Sequence, residues 1–164
     1  GIYESASSAV QLTITFFGTI TLWWRIMQIA KDSSLSQKLS KLLKPLIKFI
    51  FPDVNENDAA HKEISLNIIA NILGLGNAST PLGLKAMESL QEKNSSKNRL
   101  SDSMAMLVLI NTASLQLIPT TVISIRASLN SSQPTNIILP VWIATFSAAF
   151  IAIVLGKLFI KFGK

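Results

Sequence analysis

Apolar residues gather along the chain into four uncharged stretches of at least twenty residues, at 5–24, 64–84, 103–125 and 127–156. A helix needs about 20 largely apolar residues to cross a bilayer, so each stretch is long enough to be weighed as a membrane helix. The first runs on through Arg25 to about residue 30. It ends in Trp23, Trp24 and Arg25, side chains suited to a membrane–water boundary. The last has its apolar part at 137–155, with Pro140 and Trp142 near one end and Lys157, Lys161 and Lys164 at the other. Both read as ordinary spanning helices; a buried helix of a larger soluble protein is the alternative.

Between residues 33 and 51 the pattern changes. Leu35, Leu39, Leu42, Leu43, Leu46, Ile47, Ile50 and Phe51 recur at helical spacing, while Lys38, Lys41, Lys44 and Lys48 fall mainly on other faces. This predicts a basic amphipathic helix, kinked near Pro45. It either lies on an anionic leaflet as an interfacial helix or packs against the protein's own helices. Residues 52–62 read as a polar loop with Asp53, Glu56 and Asp58. His61 closes that loop with no second His or Cys beside it, so it is expected to be solvated and not a metal ligand.

The two middle stretches break their own pattern. In ISLNIIANILGLGNASTPLGLKAMESL (64–90) only about ten apolar residues precede Gly74, about half of a bilayer crossing. Gly74-Leu75-Gly76 interrupts the helix, and Asn77, Ser79 or Thr80 is placed to cap a new one with Pro81 in its first turn. The expectation is helix, glycine break, helix. In MAMLVLINTASLQLIPTTVISIR (104–126) an apolar half meets Asn111-Thr112-Ala113-Ser114 and Gln116. Pro119 cannot donate to the carbonyl four residues back, so this helix too is expected to be kinked or interrupted. Lipid cannot satisfy broken backbone, so such breaks belong where protein or a polar cavity surrounds them. Transporters place binding sites at such breaks. The candidate substrate-binding set is therefore Asn67, Asn71, Gly74, Gly76, Asn77, Thr80, Pro81, Asn111, Thr112, Gln116, Pro119 and Thr120. Asn67 and Asn71, four apart, share one helix face. The competing reading is that these amides and hydroxyls only tie helices together.

Composition supports a membrane setting. Of 164 residues, 49% are hydrophobic and 15% charged, against about 25% charged in soluble domains, and the mean hydropathy is +0.43. The net charge of +6 suits an anionic membrane surface, while no nucleic-acid-binding motif accompanies it. There is no Cys, which excludes disulfides and thiolate chemistry. No Ser-His-Asp set, metal cluster or phosphate loop appears, so neither an enzyme nor a cofactor is expected. Glu63 and Asp102 only flank the uncharged runs, which argues against proton-coupled pumping by this chain alone. If 64–91 is a re-entrant hairpin, Lys93, Lys97, Arg99 and the C-terminal lysines lie on the same side as the lysines of 31–62. Only Arg126 of the fifteen basic residues then lies near the outer face.

The fold class expected is an all-α integral membrane protein, one domain over 1–164. It has spanning helices, a re-entrant or broken helix hairpin and an interfacial amphipathic helix. The stretch NIIANILGLGNASTPLGLKAMESLQ, followed by INTASLQLIPTTVISIR, closely resembles the nucleoside-recognition (Gate) domain membrane proteins, in particular their spore-maturation members. The resemblance covers about residues 6–158. It implies a multi-pass protein of the bacterial inner (cytoplasmic) membrane, linked in spore formers to spore maturation and core dehydration. It also implies membrane lipid, a homologous partner resembling spore maturation protein B and/or self-association as partners. Members begin with a further hydrophobic helix, so a truncated or processed start is expected ahead of Gly1. The function expected is a component of a transport or permeation complex for a small polar, nucleoside-like solute. The alternative is a structural or assembly module with no solute site of its own.

Overall fold

A computed structural model describes residues 2–32, 34–74 and 76–162. Among the described residues the chain is helical and no strand occurs. The elements are α1 (Ile2–Asp32), α2 (Ser34–Ile50), α3 (Ala59–Ile72), α4 (Gly76–Lys93), α5 (Asp102–Ala113), α6 (Thr120–Ser128), a 3-10 turn (Pro134–Ile137) and α7 (Ile138–Phe162).

The apolar core lies where α2, α3, α4 and α5 meet. Ile47, Ile50 and Phe51 from the end of α2, Ile64 and Ile68 from α3, Ala86 and Leu90 from α4, and Met106, Leu107 and Ile110 from α5 are all buried there. The amphipathic helix thus divides its apolar residues. One stripe enters the core, while Leu42 and Phe49 remain exposed, so packing on the protein's own helices accounts for only part of that face. Side chains of 26–40 lie outside the described residues. Pro45 is accommodated inside α2.

α3 and α4 form an antiparallel hairpin. Its root is fastened by Lys93, whose Nζ stands 2.5 Å from Asp58 Oδ1. Hydrogen bonding to Lys93 holds the Asp58 carboxyl below its usual range, and Lys44 does the same for Glu56, 2.5 Å away. Two expectations need correction here. α3 begins at Ala59, which carries His61 into the helix as a buried side chain instead of a solvated one. α4 begins at Gly76, so Pro81 sits inside the helix and not in its first turn. The hydroxyls of Ser79 and Thr80 bond back to the Gly76 carbonyl at 3.0 and 3.2 Å instead of capping.

α7 crosses the back of α5. A Cβ at Gly156 would lie 2.8 Å from Leu109 Cδ1 and 3.0 Å from Met106 Cε, so glycine sets that close approach. Segment Pro134–Phe162 is long and apolar enough to cross a membrane. Almost none of it is buried: Ile143, Phe146, Phe150, Leu155 and Phe159 all face outward. A core helix of a soluble protein would bury such residues. Among the described residues no other helix meets both length and hydropathy. α1 has the length expected of a spanning helix, but Glu4, Gln11 and its serines and threonines dilute its hydropathy. The side chains of Trp23 and Trp24 lie outside the described residues.

Candidate solute-binding site

Both sequence breaks are real, and they close on each other. α3 ends at Leu73, and Gly74 turns the chain with φ +71°, a conformation side chains other than glycine rarely adopt. α5 ends at Ser114, left-handed at φ 49°, five residues before Pro119. The second segment is therefore interrupted and not merely kinked. The Leu117 amide donates to the Ile72 carbonyl at 2.8 Å. The buried Thr120 hydroxyl donates to the Gly74 carbonyl at 2.9 Å. A Cβ at Gly74 would fall 1.8 Å from the Ile118 carbonyl oxygen. Backbone groups freed by one break are thus met by the other, as a low-dielectric setting requires.

The joint is also tied to α7, because Trp142 Nε1 donates to the Leu117 carbonyl at 2.7 Å. Trp142 is the fifth residue of α7, so the breaks lie level with one end of that helix and not its middle. Asn111 lies one turn before the second break and joins Asn67 and Asn71 of α3 in an asparagine cluster.

That cluster lines a cavity of about 390 Å³ between α3, α4 and α5, within the range of small-molecule sites. Asn71 Nδ2 donates to Asn111 Oδ1 at 2.6 Å. Asn67 Nδ2 donates to the Ser79 carbonyl at 2.9 Å, while its buried Oδ1 has no protein partner. Gly83 lets the amides approach α4: a Cβ there would sit 3.0 Å from Asn67 Nδ2 and 3.6 Å from Asn111 Nδ2. The walls carry the amides of Asn67, Asn71 and Asn111 and the hydroxyls of Thr80 and Thr112, and bear no charged side chain. Such a surface suits an uncharged solute that both donates and accepts.

The predicted set thus separates into groups. Asn67, Asn71, Thr80, Asn111 and Thr112 line the cavity together. Gly74, Pro119 and Thr120 belong to the buried joint instead. Gly76 and Pro81 are exposed on the first turns of α4. Gln116 Nε2 donates to Ser114 Oγ at 3.0 Å within the second break, off the cavity wall. The Asn77 side chain lies outside the described residues. Ser79, expected only as a possible cap, also lines the site, as do Gly83, Leu84, Met87 and Val108, which were missed. Extending the i, i+3, i+4 rows from Thr80 and back from Asn111 and Thr112 reaches all four.

The nucleoside recognition (Gate) family pattern matches residues 13–129, which holds both breaks and every wall of the cavity. The chain belongs to that family. Among its relatives, spore maturation protein A of Bacillus subtilis (strain 168) is 35% identical over 158 residues, covering 96% of this chain and 81% of the relative. No solved structure matches the chain. In this Gate chain the glycine break and the Pro119 break form one joint, with the asparagine cavity beneath it.

Proposed function

We propose that this Gate-family chain is a membrane component of a permeation pathway for a small, uncharged polar solute of nucleoside-like chemistry, with the asparagine cavity as its contact site. The gathering of Asn67, Asn71, Asn111 and Thr112 on the wall of one uncharged cavity carries the reading. Family membership and the bare apolar surface of α7 support a multi-pass place in a bacterial inner membrane. The role is transport-related and not catalytic, exercised beside a homologous partner of the spore maturation protein B type or a second copy. The α3–α4 hairpin is read as re-entrant, returning Lys93 to the side of the basic C-terminus.

Flux of radiolabelled nucleosides and other polar solutes across sealed proteoliposomes tests this, using the chain alone and with its partner. Asn67→Ala is expected to reduce flux about tenfold. An absence of flux for every solute, with or without the partner, would sink the reading. A second reading, an assembly module, is favoured by the mutual closure of the two breaks. In that case Thr120→Val would abolish complex formation, while Asn67→Ala would change nothing.

A further inference from the structure

We infer that a second cavity, at the C-terminal end of α7, binds a phosphoethanolamine-type zwitterion, the headgroup of a phosphatidylethanolamine lipid. The cavity holds about 480 Å³ between the turn after α2, the start of α5 and the last turns of α7. Asp53 and Lys161 both line it, and neither has an ion-pair partner among the described residues. Ser103 lines it as well, at 6% exposure, with its Oγ unpaired. Asp102 lines it too, with an interaction of its own. Lys157 is also engaged, donating to the Phe49 carbonyl and sitting 3.8 Å over the Phe49 ring.

Opposite charges left unpaired in one cavity select a ligand carrying both. A phosphodiester would take Lys161. A primary ammonium would take Asp53. The wall between them is apolar through Met106 and Ile160, and exposed Phe159 and Phe162 continue along α7, where acyl chains would lie. The end of a bilayer-crossing helix is at headgroup level. The inference uses the membrane placement of α7 but not the solute pathway, so a failed flux assay leaves it standing.

The test measures binding by native mass spectrometry and thermal shift on the full chain in detergent. The probes are phosphatidylethanolamine, phosphatidylcholine, phosphatidylglycerol and water-soluble glycerophosphoethanolamine. Phosphatidylethanolamine is expected to bind about tenfold tighter than the other two lipids. Asp53→Asn should erase that preference, and Lys161→Gln should weaken all three lipids. Lys161 is exposed, so its variant decides the matter if the Asp53 variant misfolds. Equal binding of the three lipids, a preference surviving Asp53→Asn, or unchanged binding of all three by Lys161→Gln overturns the inference. Competition by glycerophosphoethanolamine at equal concentration would overturn the assignment to lipid and move the ligand into water.

Discussion

At Gly74 the backbone stands at φ +71° with the Ile118 carbonyl oxygen where a Cβ would go. Gly74→Ala therefore combines strain with a clash against backbone, which cannot step aside. A loss of about 3 kcal/mol or more is expected, read as a lowered Tm in detergent or failure to purify as a single species. Gly83 presents the opposite case. Its added Cβ would meet the side-chain end of Asn67 at 3.0 Å, which can shift by a few tenths of an ångström. Alanine also suits a helix interior better by about 0.5–1 kcal/mol. Gly83→Ala should leave Tm close to that of the parent while reducing solute flux, because it fills the cavity and displaces an amide. A variant that keeps full flux would argue that this wall does not touch the solute.

Among elements, the joint between the two breaks and the asparagine pair can be separated. Thr120→Val removes a buried hydroxyl from the Gly74 carbonyl and should cost about 1–3 kcal/mol, read by unfolding in mild detergent. Asn71 and Asn111 touch each other directly. A double-mutant cycle to alanine should return a coupling of about 0.5–2 kcal/mol, as seen for hydrogen bonds between membrane helices. The breaks themselves were legible because Gly, Pro and Asn are strong local punctuation in an apolar run. Their mutual docking was not, since the bond from Leu117 to Ile72 joins residues whose sequence neighbourhoods say nothing of each other. His61 was misread for a similar reason: the run Asp53 to Asp58 suggested a loop through residue 62, whereas tertiary packing starts α3 at Ala59 and turns the imidazole inward.

For the whole molecule, charge gathers at one end, where Asp58 meets Lys93, Glu56 meets Lys44 and Lys157 meets Phe49. Both carboxyls are held below their usual range by those lysines. Their contribution to stability is present above the unfolded-state pKa and is lost as pH falls through the lower folded value. Tm should accordingly fall on acidification below the ordinary carboxylate range, and the fall should be shallower in Asp58→Asn; an unchanged acid limb would refute the role given to Lys93. The helical class and the apolar C-terminal helix were evident from composition and run length. The division of α2 between core and exterior was not, because a helical repeat reports an apolar face without saying what covers it.

The hairpin is gripped at both extremities, by Lys93 at its root and by the Pro119 segment at its tip. Swinging either helix aside would tear one of these attachments, so the hairpin is poorly suited to act as a flap. A molecule arriving at the asparagines would instead pass through the standing gap between α4 and α5, beside exposed Leu84 and Val108. Whatever sits against that flank, whether lipid tails or a neighbouring subunit, then governs who enters.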